Sequence, residues 1–405
     1  MQRGDSMFIA RQPIFDRSMN VYGYELLYRA NEQSTAFGQA SALTSTATVL
    51  GGLFEIGLKQ IVGDKRAFIN FDYEFLMSDA ILLIHPQTLI IEVLETVQVD
   101  DALIHRILEL RKLGYKIALD DFAENISDYP IVPMSDIIKY DLMVTPLHTI
   151  KKDVEYAKRK SKFLLAEKIE TIDDFLLAKE MGFLLFQGYF FSKPKIVAGL
   201  KTKNTVSSVY QRLISELREE EPSYQKLADI ISMDVNMAYR VMKVSGQKAK
   251  DKKTIRDALT RMGLKELERW ISVLMLQELS KDKPQELVKV SLIRSKFGEL
   301  IAANSIYAKR KYEISLMCLF SVLDAMLDLP MEEALEGISL SEDVKKLLIK
   351  QEGDLITIYQ IIHCYESGEC KDLKEALASI KLDPEKLFQS YLEAIKWSDE
   401  VLENV

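Results

Sequence analysis

The sequence is poor in the residues that build disulfide frameworks and soft metal sites. It has three cysteines (Cys318, Cys364 and Cys370) and four histidines in 405 residues. We therefore expect no disulfide framework and no zinc or haem site, as is typical of a reducing compartment. No apolar run approaches the roughly 20 residues that a membrane span needs, and the N-terminus lacks the apolar core of a signal peptide. These absences predict a cytoplasmic protein without a membrane span.

A basic region is also missing. Residues 1–195 carry 22 Lys and Arg against 27 Asp and Glu, and the remaining residues carry 31 against 34. Because DNA- and RNA-binding domains normally present a basic surface, we expect neither as a partner. The chain is 48% hydrophobic and 28% charged, which is typical of globular proteins, and its length suggests two or three domains.

Short β-rich runs alternate with helical stretches up to about residue 195. The runs are 8–15, 21–29, 67–72, 88–95, 116–121, 136–141, 163–169 and 184–191. Helical patterns at 100–113 and 172–181 each stop at a glycine, which often ends a helix. About eight strands joined in this way predict an α/β fold, a compact TIM-like (β/α) barrel, with a doubly wound open sheet as the alternative.

The pattern changes after residue 195. Residues 196–204 are basic and short of bulky apolar side chains, as in a linker, and residues 205–405 show helical periodicity almost throughout. The sequence therefore predicts three parts: a barrel over 1–195, a linker over 196–204 and an all-α domain over 205–405.

Polar side chains gather in or near the carboxyl ends of the β-rich runs. They are Glu25, Asn70, Glu92, Glu95, Asp120, Asp121, Lys139, Glu167, Glu170 and Gln187. A single acid at such a position usually caps a helix or is solvated, but in a barrel all these ends meet on one face. So many carboxylates require cations, and oxygen-only ligands favour Mg²⁺ or Mn²⁺. The pattern predicts a two-metal site suited to phosphoester hydrolysis.

These residues resemble the motifs of the EAL family of cyclic-di-GMP phosphodiesterases. Glu25-Leu26-Leu27-Tyr28-Arg29 resembles the ExLxR signature, and Gln12-Pro13-Ile14 resembles the opening strand of the family. The remaining matches are Asn70, Glu92-Val93-Leu94-Glu95 (ExxE), Asp120-Asp121-Phe122 (DDF), Lys139, Ala166 to Thr171 (AExxET) and Gln187 to Pro194 (QGYxxSxP). They follow one another in the family order over roughly residues 8–195.

The resemblance implies a substrate, a cofactor and residue roles. It implies hydrolysis of cyclic-di-GMP to the linear dinucleotide pGpG with two Mg²⁺ or Mn²⁺ ions. The implied metal ligands are Glu25, Asn70, Glu92, Asp120, Asp121 and Glu167, with Asp120 bridging the two ions. The implied catalytic residues are Glu167 as a base, Lys139 and Gln187, and the implied substrate-binding residues are Arg29, Gln12, Leu27 and Pro194. Glu95 and Glu170 are expected to support a loop rather than to touch metal.

The sequence departs from the family pattern next to the site. Ala123 replaces the glycine of DDFG, residues 124–130 (ENISDYP) replace the usual loop, and Lys168 replaces the glycine of AEG. Glycine at 123 would allow a positive φ, which Ala123 disfavours by about 1 kcal/mol. We therefore expect a complete site with looser support, and slow turnover with substrate affinity largely kept.

The second half resembles the HDOD domain, a helical relative of the HD phosphohydrolases that lacks their metal-binding set. The matching stretches are Ala228 to Asp234 with 239–244, Thr254 to Leu259 with Met262-Gly263, and 320–327. The resemblance implies a regulatory module that supports a homodimer or docks a signalling protein. Two alternatives stay open: a degenerate EAL scaffold that binds nucleotide or a partner without turnover, and an unrelated barrel enzyme.

Overall fold

The structure is a computed structural model of the 405-residue chain, and it does not describe every residue. It describes residues 8–29, 58–192, 208–234, 237–238, 240–241, 254–279, 283–336, 338, 340–367 and 373–404. The predicted linker, 196–204, and Pro194 lie outside these residues. The predicted domain boundaries therefore stay a prediction.

The N-terminal part is a closed eight-stranded barrel, in which neighbours along the chain are neighbours in the sheet. The strands are β1 (Phe8–Asp16), β2 (Val21–Arg29), β3 (Arg66–Phe71), β4 (Leu89–Val93), β5 (Lys116–Leu119), β6 (Ile137–Asp141), β7 (Phe163–Glu167) and β8 (Leu185–Gln187). β1 is antiparallel to both β2 and β8, and the other pairs are parallel. All eight predicted strands are confirmed, and closure of the sheet excludes the open alternative.

Helices and short turns connect the strands. In the barrel they are α1 (Leu58–Val62), α2 (Tyr73–Met77), α3 (Asp101–Lys112), α4 (Lys151–Arg159) and α5 (Ile172–Met181). Asp100 caps α3 by accepting the backbone N–H of Leu103 at 2.8 Å, and Thr171 caps α5 in the same way. α5 ends at Gly182, whose φ of 118° suits a residue without Cβ. The two helices predicted from the sequence are thus confirmed.

One layer of apolar side chains fills the barrel. Seven strands each contribute one buried residue: Ile14, Phe68, Ile90, Ala118, Ile137, Leu165 and Leu185. Successive side chains of a strand point to opposite faces, so residues two positions apart share a face. In each parallel strand, the residue two positions after the one in this layer therefore also faces the inside of the barrel. These residues form the next layer, closer to the carboxyl ends of the strands.

Where the structure describes it, the C-terminal part is all-α, as predicted. Its helices are α6 (Ser208–Leu217), α7 (Tyr224–Ser232), α8 (Ile255–Met262), α9 (Leu264–Leu279), α10 (Gln285–Ala303), α11 (Lys311–Leu319), α12 (Leu323–Leu327), α13 (Met331–Ala334), α14 (Glu342–Lys350), α15 (Ile356–Ser367), α16 (Leu373–Ser379) and α17 (Pro384–Asn404). By contacts, one compact unit comprises Met1–Phe191 with His363–Lys374, and the other comprises Ser192–Ile362 with Glu375–Val405.

The cysteines differ in part from expectation. Cys318 is free and buried, but Cys364 takes part in a disulfide. The prediction concerned a disulfide framework, and the described residues hold a single disulfide-bonded cysteine. Within the described ranges, no helix has both the length and the apolar character of a membrane span.

Candidate active site

The alternation of the strands brings the predicted polar residues into one layer. Five parallel strands place a polar residue two positions after the filling residue: Asn70 after Phe68, Glu92 after Ile90, Asp120 after Ala118, Lys139 after Ile137 and Glu167 after Leu165. Gln187 follows Leu185 in the same way, and Glu25 and Gln12 face each other in the register of β2 and β1. The apolar layer thus forms the floor of a polar site at the carboxyl ends of the strands.

Lys139 is the centre of this polar layer. Its Nζ lies 2.6 Å from Glu92 Oε1, 2.6 Å from Asp120 Oδ1, 3.0 Å from Glu167 Oε1 and 3.6 Å from Glu25 Oε2. The Lys139 side chain is only 1% exposed. One ammonium cannot neutralise the three buried carboxylates and that of Asp120, so the layer carries an excess of negative charge when all four are ionised.

Burial and crowding shift the pKa values of this group. Burial raises the pKa of Glu167 to about 8, although Lys139 opposes the shift. Burial also raises the pKa of Glu92 well above its ordinary value, and Glu25 and Asp120 add to this. Burial alone would lower the pKa of Lys139, but the four carboxylates around it hold that pKa well above its usual range. The site therefore favours bound cations, whether protons or metal ions.

The amides of the layer bond to Glu25. Gln187 Nε2 donates to Glu25 Oε2 at 2.6 Å and to Gln12 Oε1 at 3.0 Å, and Asn70 Nδ2 donates to Glu25 Oε1 at 3.2 Å. Gly188 fixes the position of Gln187, since its φ is 144° and an added Cβ would lie 2.2 Å from the carbonyl oxygen of Ile169. The glycine of the QGY motif is therefore required by close backbone contact.

A second acidic group lies beside the first. Carboxylate oxygens of Glu95, Asp120 and Asp121 all lie within 4.8 Å of one another. The backbone holds the Asp pair from both sides, because Asp120 N donates to Val93 O at 3.0 Å and Phe122 N donates to Lys139 O at 2.9 Å. Asp120 is thus shared between the Lys139 group and this one.

The altered loop 123–130 is packed at its apolar positions. Ile126 is buried, and the Tyr129 ring meets the Phe122 ring edge to face with centroids 5.5 Å apart. The positive φ near the Asp pair falls on Asp121, at 39°, and not on Ala123. The expectation of strain at Ala123 is therefore wrong. The positive φ occurs two residues earlier, at Asp121, and aspartate adopts this conformation more readily than most residues with a side chain.

Lys168 and Asp141 form a contact that motif reasoning did not assign to the site. Lys168 Nζ lies 2.6 Å from Asp141 Oδ2, across the carboxyl ends of β7 and β6. Lys168 has a φ of 53°, which is left-handed and uncommon for a residue with a side chain. The sequence signal for this contact is the lysine at 168, where the family has a glycine.

The remaining predicted residues are distributed around the layer. Leu27 is half-buried and pairs with Ala10, and Glu170 is exposed just before the cap of α5. Arg29 ends β2, but its side chain is outside the described part of the structure, as is Pro194.

The oxygen atoms of the layer suit a hard divalent cation as ligands. Four buried oxygens of the layer, Asn70 Oδ1, Glu92 Oε2, Glu167 Oε2 and Gln187 Oε1, have no hydrogen-bond donor. Buried acceptors without donors are costly, and these oxygens face an excess of negative charge. Oxygen-only ligands of this kind suit Mg²⁺, Mn²⁺ or Ca²⁺ rather than zinc.

Comparison with known proteins identifies both halves of the chain. The family model of the EAL domain matches residues 1–194, and that of the HDOD domain matches residues 204–316. The chain is 32% identical to the uncharacterized protein YuxH of Bacillus subtilis, over 98% of this chain and 99% of that protein. It is 30% identical to the cyclic di-GMP phosphodiesterase CdgJ of Vibrio cholerae, over 97% of this chain and 93% of that protein.

A solved structure is also similar, although the family assignment does not depend on it. The Bacillus subtilis YkuI protein, which has an EAL domain and was solved with c-di-GMP and calcium, is 19% identical with a TM-score of 0.40, covering 65% of this chain and 72% of that chain. The assignment depends instead on the two relatives that match over nearly their whole length. The chain therefore belongs to the family of proteins that join an EAL domain to an HDOD domain.

Proposed function

We propose that the barrel hydrolyses cyclic-di-GMP to the linear dinucleotide pGpG by metal-assisted cleavage of a phosphodiester bond. The observation that carries this proposal is the polar layer itself, in which buried acceptors without donors lie beside a shared aspartate pair. The similarity to CdgJ over almost the full length supports the choice of substrate.

Two groups of residues would hold Mg²⁺ or Mn²⁺. Glu25, Asn70, Glu92 and Asp120 would bind one ion, and Asp120 and Asp121 would bind a second. Glu95 joins the second group in this proposal, because its carboxylate lies with those of the Asp pair. Bound divalent ions would activate a water molecule and neutralise charge on the phosphoryl oxygens.

Glu167 is suited to take the proton of the attacking water. One of its oxygens is 3.0 Å from Lys139 Nζ, and the other is buried without a hydrogen-bond donor. In the metal-free site, burial raises the pKa of Glu167 to about 8, which favours proton uptake by this carboxylate. Lys139 would orient the same water, and Gln187 would hold Glu25 in place.

Substrate binding is assigned to residues around the layer. A cyclic dinucleotide carries two phosphodiester charges, and an arginine can bind one of them bidentately. Arg29 follows Glu25 by four residues on β2, so we assign it this role, with Gln12, Leu27 and Pro194 as further contacts. We assign the helical half a regulatory role, as a dimerisation or partner-docking module.

A turnover assay tests the proposal. Purified full-length protein is incubated with cyclic-di-GMP and either Mn²⁺, Mg²⁺ or EDTA, and the products are separated by chromatography. We expect pGpG with either metal, none with EDTA, and at least a hundredfold loss in Glu167→Gln. Binding of cyclic-di-GMP in Ca²⁺ without turnover in any metal would overturn the proposal in favour of the non-catalytic scaffold.

A further inference from the structure

Lys168 occupies a backbone position that is unfavourable for it. It directly follows Glu167 at the end of β7, and its φ of 53° lies in the left-handed region. Glycine adopts this conformation freely, whereas a residue with a Cβ is strained by about 1 kcal/mol. A strained residue at a candidate active site points to a role for its side chain.

The Lys168 side chain is held against a buried acid. Its Nζ lies 2.6 Å from Asp141 Oδ2, and the Asp141 side chain is only 6% exposed while that of Lys168 is 56% exposed. Asp141 also accepts the backbone N–H of Met143 at 2.8 Å, which fixes its other oxygen. The ammonium therefore stands at a fixed place on the rim of the polar layer.

Glu167 and Asp121 both lie near the strand ends that carry this ammonium. Lys168 directly follows Glu167 at the end of β7, and Asp141, which holds its ammonium, is paired with Glu167 in the register of β6 and β7. Asp121 lies beside the same strand, because the backbone N–H of Phe122, the next residue, donates to the carbonyl oxygen of Lys139 on β6 at 2.9 Å. Lys168 thus supplies positive charge on the side of the site where Asp121 lies.

We propose that Lys168 weakens the binding of the second divalent cation at the Asp120–Asp121–Glu95 group. A fixed positive charge repels a divalent ion that binds nearby, and in a partly buried site this repulsion exceeds its value in water. With Lys168 in place, the second metal position fills at a higher free metal concentration than it would with a glycine at residue 168. This inference rests on the metal site of the proposed function.

Calorimetric titration of Mn²⁺ into the full-length metal-free protein tests the inference. The variants are Lys168→Met, Lys168→Gly and Lys168→Arg, with Asp120→Asn as the control for the site and Lys152→Met as the control for an exposed lysine of α4. We expect Lys168→Met and Lys168→Gly to tighten the weaker Mn²⁺ step roughly tenfold. Lys168→Arg and Lys152→Met should leave it within twofold, because the first keeps the charge and the second is on a helix outside the layer.

The outcomes separate the inference from the proposed function. Mn²⁺ binding that Asp120→Asn abolishes, with an unchanged weaker step in Lys168→Met and Lys168→Gly, overturns the inference alone. An equal change in Lys168→Arg and Lys168→Met also overturns it, because the effect would then follow the contact geometry and not the charge. No Mn²⁺ binding by the wild type overturns both. If Lys168→Met does not fold, Lys168→Gly carries the test, since glycine relaxes the backbone.

Discussion

Lys139 Nζ lies 2.6 Å from Asp120 Oδ1, so the chain places its own cation among the carboxylates proposed to bind metal. This ammonium is buried and also contacts Glu92 and Glu167. Removing one partner of a buried ion pair commonly destabilises a protein by about 3–5 kcal/mol, because a charge is left without compensation. The metal-free site therefore depends on Lys139 for stability as well as for chemistry.

Lys139→Met should destabilise the metal-free protein by about 3–5 kcal/mol and abolish turnover. Millimolar Mn²⁺ should restore part of the stability but none of the activity, because a divalent ion can replace the charge but cannot orient the water. Urea unfolding in EDTA and in Mn²⁺ measures the first effect. Lys152→Met should change neither quantity, and an equally stable Lys139→Met in EDTA would contradict the interpretation.

Gly188→Ala should cost more than about 3 kcal/mol, because its Cβ would lie 2.2 Å from Ile169 O and 2.4 Å from Ile169 N. Gly63 is a matched control, since its φ is also positive, at 62°, but no atom lies within 4 Å of an added Cβ. Gly63→Ala should therefore cost only about 1 kcal/mol. Urea unfolding measures both, and equal costs would show that φ alone, and not the contact with Ile169, constrains Gly188.

The polar layer could be predicted from the sequence, because the alternation of side chains along the strands places its residues. Phe68 and Asn70, or Ile137 and Lys139, stand two residues apart on a strand, so the alternation that fills the barrel also aims the polar residues inward. Strand positions follow from the apolar runs alone. The count of strands and the crossover helices favoured a barrel but left an open sheet as the alternative, and only the structure shows that the sheet closes.

The pairing of side chains could not be predicted in the same way. Whether Glu95 faces the Asp pair or the loop depends on the backbone after β4, and the turn at Asp121 follows from tertiary hydrogen bonds to Val93 and Lys139. The family pattern, with a glycine at 123, predicts the positive φ at that residue. The sequence pattern does not reveal that the chain moves the left-handed residue to position 121.

Stability of the metal-free protein should fall as pH rises from about 5 to about 8. The pKa of Glu167 is about 8 in the folded state and 4.5 ordinarily, so its contribution is complete below 4.5 and is lost as the pH passes 8. In this window the folded state binds more protons, which gives a slope of up to about 1.4 kcal/mol per pH unit. Glu167→Gln should flatten the slope measured by urea unfolding in EDTA. An identical slope in the variant would show that Glu167 is ionised throughout.

Ala123→Gly should change kcat by less than twofold, since Ala123 does not have a positive φ. Tyr129→Ala should instead lower kcat several-fold with little change in KM, because it removes the ring that packs on Phe122 next to the Asp pair. Steady-state kinetics with cyclic-di-GMP and Mn²⁺ measures both variants. A large increase of kcat in Ala123→Gly would instead show that the loop is strained at residue 123.

The origin of the oxygen in the product tests the central claim most directly. The reaction is run with cyclic-di-GMP and Mn²⁺ in ¹⁸O-labelled water, and the linear dinucleotide is analysed by mass spectrometry. Attack of water on phosphorus leaves one solvent oxygen on the terminal phosphate, so we predict one ¹⁸O atom for each product molecule and no product from Asp120→Asn. Intact cyclic-di-GMP after incubation of the wild type, or product without the label, would contradict the assignment of this site to phosphodiester hydrolysis.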